Sequence, residues 1–194
     1  VAILALSSMV PLFLILYYIT KNGIAVINWE FLTTLPRPTG ETGGGIYNAI
    51  IGSLMLIVLS CIFSIPVGVA AGIYLSEKQT GKLSDIVRLC VVVLQGTPSI
   101  VIGIIAYIWV VAPFRSFSAL SGGAALSIMM LPVIIKTTEE TLKLIPYHLK
   151  EASLALGVPY YKTILKVILP TGFSSIMTGI LLSVSRITGE TAPL

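Results

Sequence analysis

The chain has 194 residues, of which 56% are hydrophobic and 10% charged, and its formal net charge is +4. Soluble domains usually carry about a quarter charged residues, so the composition predicts a protein embedded in a membrane, and the length fits one membrane domain without an attached soluble catalytic domain. The basic residues lie in short loops between apolar runs, which argues against a patch that binds nucleic acid.

Apolar runs of roughly 20 residues, the length that crosses the hydrocarbon core as a helix, mark the predicted spans. The first runs from Val1 to Thr20, and Lys21 closes it. It lacks a basic leading region and a small-residue cleavage site, so a transmembrane helix is favoured over a signal peptide. We expect residues before it, because the chain starts inside this run without Met. A polar loop rich in Pro and Gly follows, from Asn22 to about Gly45.

The second predicted span runs from Ile46 to Ser76 and contains Pro66. At about 1.5 Å per residue it is longer than the membrane is thick, so it should tilt, kink or protrude. The third runs from about Leu83 to Pro113. It is interrupted where Thr97 would cap a new helix that has Pro98 at its first position.

The fourth predicted span covers about Ser118 to Ile135, and its helix should continue into water until Pro146 stops it. Two pairs of opposite charge at i,i+4 spacing favour this extension: Lys136 with Glu140, and Glu139 with Lys143. The fifth span is predicted to start after Pro170 and to run to the end of the chain. The runs are continuously apolar and do not alternate, so spanning strands are excluded. The predicted class is an all-α polytopic membrane bundle.

The basic residues in the loops predict the orientation of the spans. Eight fall on one side: Lys78, Lys82, Arg88, Lys136, Lys143, Lys150, Lys162 and Lys166. Three fall on the other side: Lys21, Arg37 and Arg115. The side with eight should be cytoplasmic.

The longest cytoplasmic stretch, residues 142–170, reads as two short amphipathic helices joined by a bend. Gly157 suits the end of the first helix, and Pro159 suits the start of the second. The first helix has a small, uneven face formed by Leu149, Ala152, Ser153 and Leu156. The second places Lys162 and Lys166 opposite an apolar face formed by Tyr160, Ile164, Val167 and Ile168. Such a bent pair, which we call the knob, fits a groove on a partner protein.

The knob resembles the EAA loop of type I (MetI-like) ABC importer permeases. The resemblance is carried by Glu151-Ala152-Ser153, Gly157, Val167 and Leu169-Pro170 at the family's spacing. Two positions depart from it, since Ser153 stands where Ala is usual and Val167 where Ile is usual. The resemblance implies that the loop inserts into a cytoplasmic ATPase and that Glu151, Ala152, Ser153, Gly157, Leu169 and Pro170 couple the two proteins.

The resemblance implies that the energy source is a pair of identical ATPase subunits that use ATP. We expect this chain to bind no ATP or other cofactor. A P-loop is missing from the sequence, because the nearest candidate, Gly81-Lys82, is followed by Leu83. Neither the cysteines, Cys61 and Cys90, nor His148 has the spacing of a metal site.

Near the end of the fifth predicted span, Arg186 and Glu190 stand at i,i+4 spacing on either side of Thr188. Each charge would cost roughly 2.5–3.5 kcal/mol at the bilayer centre, so the two should face each other or a wet cavity. The guanidinium of Arg186 suits an oxyanion and would place these residues on the solute pathway. Alternatively, Arg186 extends toward the membrane surface and its pairing with Glu190 is structural.

Three segments resemble the phosphate-uptake branch of these permeases, the PstA type: PSIVIG at Pro98–Gly103, MLPVII at Met130–Ile135 and RITGETAPL at Arg186–Leu194. With the EAA loop, the resemblance covers about residues 40–194. It implies a second, similar permease subunit, an extracytoplasmic phosphate-binding protein and six spans, of which the sixth would lie beyond Leu194. We treat residues 1–194 as one transmembrane domain with a core at about 46–194.

The break before Ser99 adds a further hypothesis. If the helix unwinds there, the amides near Thr97 and Ser99 would face an anion on the solute pathway. The alternative is a kink or a turn on the cytoplasmic side.

The leading interpretation is a non-enzymatic, multi-pass permease subunit of the cell inner membrane. Importers of sulfate, molybdate or an amino acid remain open alternatives, because much selectivity can reside in the binding protein. An intramembrane enzyme would need more than the one carboxylate, Glu190, that the spans contain. A passive scaffold would leave the bent amphipathic loop without an explanation.

Overall fold

The computed structural model describes residues 2–38, 40–41, 43–116 and 118–191, and of these the side chains of residues 2–8 and 114 lie outside the description. Within these ranges the secondary structure is helical and includes no strand, so the predicted all-α class is confirmed. The α-helices are α1 Ala2–Gly23, α2 Trp29–Thr33, α3 Tyr47–Glu77, α4 Lys82–Gly96, α5 Ser99–Ala106, α6 Ala112–Phe114, α7 Ala119–Leu144, α8 Tyr147–Ala155, α9 Tyr160–Thr163 and α10 Leu169–Thr188.

The chain forms two compact units, Val1–Gly52 and Ser53–Leu194. In the first unit, α1 occupies the first predicted span, whose first eight side chains lie outside the described residues. Asn28 caps the short helix α2, and its side chain accepts a hydrogen bond from the Phe31 amide at 2.7 Å. This is the usual way in which an asparagine satisfies a free amide at a helix start.

Three helical runs in the described part of the chain are long and apolar enough to cross a membrane: α3, α7 and the run Tyr160–Thr188. A fourth candidate is the pair formed by α4 and the segment Ser99–Val111, which are bent by 112° at the break between them. The second and fourth predicted spans are therefore confirmed as helices of sufficient length. The third is broken far more sharply than a kinked helix.

The fifth predicted span, which starts after Pro170, lies within α10, but its helix does not begin there, because one helical run extends from Tyr160 through this proline. A π-helical turn at Ile164–Ile168 ends two residues before Pro170, and the Leu169 amide donates to the Ile164 carbonyl. Proline cannot donate an N–H and its ring collides with the preceding turn of a regular α-helix. The wider π turn relieves both problems, so the second helix of the knob, which starts at Tyr160 and which we call its second arm, is continuous with α10; the first arm is α8.

The same arrangement occurs before Pro113. A π-helical turn spans Tyr107–Val111, and the Ala112 amide donates to the Tyr107 carbonyl. In both places the π turn ends two residues before the proline. The shared spacing indicates that the proline dictates the wider turn.

In the second unit, α7 packs against α3 through small residues. A row of buried residues at every fourth position of α3 faces α7: Ser60, Ser64, Gly68 and Gly72. A Cβ atom on Gly72 would lie 2.5 Å from the Thr138 Cβ, and one on Gly68 would lie 2.7 Å from the Ile134 Cγ2. No larger side chain fits there, so the two backbones approach as closely as small-residue interfaces in membranes allow.

Helix α10 packs on another face of α7 by the same means. A Cβ atom on Gly179 would lie 2.7 Å from the Thr137 Cβ, and one on Gly172 would lie 3.0 Å from the Thr141 Cγ2. Between these contacts the buried apolar residues form one cluster: Leu126, Met130, Ile134, Leu142, Ile164, Ile168, Ile176, Ile180 and Ile187. Helix α7 is thus the centre of the second unit.

Candidate functional site

The bend of the knob is built by Gly157. Its φ of +77° is in the left-handed region that glycine adopts without strain. The Gly157 amide donates to the Leu154 carbonyl at 2.9 Å, and the Val158 amide donates to the Ser153 carbonyl at 3.3 Å. This pair of hydrogen bonds is a Schellman motif, so the predicted helix end at Gly157 is confirmed. Pro159 then stands directly before α9, where the start of the second arm is predicted.

A hydrogen bond between hydroxyl groups holds the two arms of the knob together. Ser153 Oγ in α8 and Thr163 Oγ1 in α9 lie 3.0 Å apart, and both residues are buried. Buried hydroxyls need a partner, and here each one is the partner of the other. Sequence reasoning missed Thr163, although the serine at a position that is usually alanine was a signal that a second polar group lay nearby.

The outer surface of the knob combines apolar and polar side chains. Leu156, next to the bend, is 84% exposed, and Tyr161 in the second arm is also exposed. Glu151 and Ala152 of the EAA pattern are exposed as well. A large apolar side chain at the tip of a bent helix pair is suited to insertion into a groove of another protein.

The carboxylate of Glu77 connects the knob to α3. It accepts hydrogen bonds from Lys150 Nζ in α8 and from Tyr160 Oη at the start of α9. Lys150 Nζ also donates to Tyr160 Oη at 3.0 Å. Nothing in the sequence spacing indicated Glu77, because it precedes its two partners by more than 70 residues.

A second cluster fixes α4 to α7 at the same end of the second unit. Arg88 Nη2 lies 2.8 Å from Glu139 Oε1, and Lys143 Nζ lies 2.5 Å from the same oxygen. Arg88 also donates to the Gln79 carbonyl at 2.7 Å. The predicted pairing of Glu139 with Lys143 is confirmed, as is that of Lys136 with Glu140, at 3.9 Å.

The remaining residues of the EAA pattern lie in the continuous run from Tyr160. Leu169 is half-buried and Pro170 is exposed. Both follow the π-helical turn directly, at the point where α10 begins. They therefore join the second arm to the apolar helix.

Arg186 and Glu190, at the end of α10, were predicted to share one face of a helix, and the structure shows a different arrangement. The helix ends at Thr188, so Glu190 follows it and does not share a helix face with Arg186. Gly189 caps the helix, and glycine propagates a helix poorly. Among the described residues, Arg186 and Glu190 form no ion pair within 4.0 Å, and Arg186 is exposed. Residues 192–194 of the RITGETAPL segment lie outside the described residues.

The break between α4 and α5 also differs in detail. Thr97 Oγ1 donates to the Val93 carbonyl at 2.7 Å, so it closes the end of α4. The prediction that Thr97 caps α5 is therefore wrong. The residue before α5 is Pro98, and Ser99 is its first helical residue. Proline fixes the turn by its φ, so a side-chain cap is not required there. Thr97 and Ser99 are adjacent to the bend, and no hydrogen bond joins either to Arg186 in the described part of the chain.

Residues 64–194, more than half of the chain, match the family model described as "Binding-protein-dependent transport system inner membrane component". The phosphate transport system permease protein PstA of Yersinia pestis is 41% identical over 181 residues, which are 93% of this chain and 61% of that protein. The protein of the same name from Pasteurella multocida is 40% identical over 93% of this chain and 64% of its own length. The protein of that name from Mycobacterium leprae is 37% identical over 97% of this chain and 64% of its length.

The fold is similar to that of a solved structure titled as an inward-facing conformation of the MetNI methionine ABC transporter. The TM-score is 0.61 at 20% sequence identity, over 75% of this chain and 68% of that one. This likeness confirms the permease fold predicted from the sequence. The chain spans a little more than three fifths of the lengths of the relatives from Yersinia pestis and Pasteurella multocida.

Proposed function

Because the chain belongs to the family of binding-protein-dependent transport system inner membrane components, we propose that it is a permease subunit of an ATP-driven importer of inorganic phosphate. It is a multi-pass protein of the inner membrane. The observation that carries the proposal is the exposed, Gly157-bent knob, which bears the EAA pattern and passes directly into an apolar spanning helix. The names of the relatives favour phosphate over other solutes.

The proposed mechanism follows from the continuity of the second arm with α10. Closure of ATPase subunits in the cytoplasm displaces the knob, and no flexible joint separates Tyr160 from the end of the helix at Thr188. Glycine contacts pack α10 tightly against α7, so these two helices move as a body. Rocking of this body opens the solute pathway alternately to the two sides of the membrane.

The proposed solute contacts are Arg186, Thr188 and Glu190 at the end of α10, with Thr97 and Ser99 at the α4–α5 break. Support comes from the chemistry of Arg186, whose planar guanidinium binds phosphate oxygens in pairs. Its exposure beyond the buried core leaves the guanidinium accessible to solute. Glu190 then acts as a neighbouring negative charge that favours release of the anion.

The proposed partners are an ATPase homodimer, a second similar permease subunit and an extracytoplasmic phosphate-binding protein, with lipid around the bundle. In this arrangement ATP is used by the ATPase subunits and the chain itself binds no cofactor. Large apolar side chains exposed on α5 and the π turn after it offer surface for lipid or the second permease: Ile100, Ile104, Ile108 and Trp109.

The test is uptake of radiolabelled phosphate by cells or proteoliposomes that contain the full-length chain and its partner subunits. We expect ATP-dependent uptake that unlabelled phosphate suppresses and that sulfate, molybdate and amino acids do not. Suppression by one of those competitors alone would reassign the solute. Failure of any ATPase subunit to co-purify would overturn the proposed function itself.

A further inference from the structure

Glu77 is the last residue of α3, the longest helix in the described part of the chain. Its carboxylate is held by one residue from each arm of the knob, Lys150 from α8 and Tyr160 from α9. A single side chain thus joins the end of a spanning helix to both halves of the coupling element.

The surroundings make this contact stronger than an ordinary surface ion pair. The side chains of Glu77 and Lys150 are 21% and 15% exposed, so water screens the charges only in part. Lys150 Nζ also lies 4.7 Å from the ring centre of Tyr160 and 5.8 Å from that of Tyr147. Aromatic faces attract a cation, so they hold the ammonium beside the carboxylate.

The first arm of the knob needs such a connection. Helix α8 lies between Pro146 and Gly157, and neither residue continues a helix, so the arm is joined to its neighbours in sequence by breaks at both ends. The second arm differs, because it is one helix with α10. Without Glu77, a displacement of the knob would pass to α10 more directly than to α3.

The contact lies beside open space. A groove of about 660 Å³ is lined by Glu77, Lys150, Tyr147 and Leu144, among others. Because the contacts of Glu77 lie at the rim of this groove, they can break and re-form without opening a cavity in the packed core, which would cost free energy. The arrangement therefore suits a link that is remade in each transport cycle.

Resting on the proposed function, we infer that Glu77 is a positioning residue that transmits the displacement of the knob to α3. It touches neither solute nor ATP in this role. Its effect is on the efficiency with which ATP hydrolysis is converted into uptake.

The experiment measures phosphate taken up per ATP hydrolysed by the complete transporter in proteoliposomes. We expect Glu77→Gln to lower this ratio by at least about fivefold, because it replaces a charged acceptor by a neutral one. Glu140→Gln is the matched control. Glu140 lies on α7 and pairs with Lys136 at 3.9 Å, but the two side chains are 62% and 54% exposed, so the ratio should not change.

Exchanging the charges of Glu77 and Lys150 distinguishes a loss of coupling from a loss of the folded structure. Lys150→Glu should lower the ratio like Glu77→Gln, and Glu77→Lys combined with Lys150→Glu should restore at least half of it. An unchanged ratio in Glu77→Gln, or no recovery in the exchanged pair, overturns the inference. If Glu77→Gln does not assemble, Tyr160→Phe keeps the ring and removes one donor, and an unchanged ratio there is equally decisive against it.

The result is distinguishable from failure of the proposed function. That failure would appear in the unaltered protein, as absence of ATP-dependent phosphate uptake or of a bound ATPase. Co-purification of the ATPase with Glu77→Gln at the yield of the unaltered protein is expected, since the exposed surface of the knob is unchanged.

Discussion

Ser153 Oγ and Thr163 Oγ1 lie 3.0 Å apart across the bend at Gly157, and both side chains are buried. The serine departs from the EAA pattern that the knob resembles, and the structure gives the reason for its presence here. A hydroxyl buried between two helices needs a hydrogen-bond partner, and the threonine supplies it from the facing arm. The serine that departs from the family pattern is therefore one of two hydrogen-bonded residues, Ser153 and Thr163.

The pair predicts a non-additive result in a double-mutant cycle. Ser153→Ala and Thr163→Val should each destabilise the protein by about 1 kcal/mol, because each removes the partner of a buried hydroxyl. The double variant should lose less than the sum, which unfolding in a denaturing detergent would measure. Thr178→Val is the control, since the Thr178 hydroxyl is exposed and bonds only within its own helix. Strict additivity in the cycle would mean that the two hydroxyls do not interact.

The bend at Gly157 predicts a graded effect on uptake. Gly157→Pro should abolish phosphate uptake with membrane insertion intact, because proline cannot adopt a φ of +77° and removes the amide that bonds the Leu154 carbonyl. Gly157→Asn should retain much of the uptake, since asparagine tolerates the left-handed region. Normal uptake by Gly157→Pro would count against any role of the bend in coupling.

Close helix packing predicts opposite outcomes for two glycines of α3. Gly72→Ala should destabilise the protein by about 1–3 kcal/mol, because the added Cβ would lie 2.5 Å from the Thr138 Cβ and 2.9 Å from the Ile135 carbonyl oxygen. Gly52→Ala should be neutral or slightly stabilising, because nothing lies within 4 Å of its added Cβ and alanine favours a helix. Thermal unfolding of the purified protein in detergent gives the comparison. Equal midpoints for the two variants would contradict the packing of α3 on α7.

The ion pairs of α7 predict that neutralising two adjacent carboxylates, Glu139 and Glu140, lowers the free energy of unfolding by different amounts. Glu139→Gln should cost about 1–3 kcal/mol, because it weakens hydrogen bonds to both Arg88 and Lys143 at a mostly buried position. Glu140→Gln should cost at most about 1 kcal/mol, because its pair with Lys136 is exposed. Chemical denaturation at two salt concentrations measures both. If Glu139→Gln behaved like its neighbour, Glu139 would not fix α4 to α7.

The features that the sequence predicted well depend on neighbours in the chain. Continuous apolar runs identify α3 and α7, and the opposite charges at i,i+4 spacing place the extension of α7 toward Pro146. Gly157 followed by Pro159 identifies the bend of the knob, since each residue restricts its own backbone. Both the hydrophobic signal and the backbone signal are local.

The errors arose where a local signal has more than one outcome. The fifth span was expected to start after Pro170 as a separate helix, but a π-helical turn carries the preceding helix through this proline. Thr97 was expected to cap α5, but its hydroxyl bonds back to α4. The helix that contains Arg186 was expected to include Glu190, but it ends at Thr188. The energy differences between such local arrangements are small, so the surrounding structure selects one.

The amino-acid sequence by itself determined the all-α membrane class, the bent loop and the family, because these depend on composition, periodicity and short-range spacing. Only the tertiary structure decided that Glu77 meets Lys150 and Tyr160, that Arg88 meets Glu139, and that Ser153 faces Thr163. These contacts depend on the angles at which helices cross and on the breaks between them. Neither is encoded in the periodicity of a single segment.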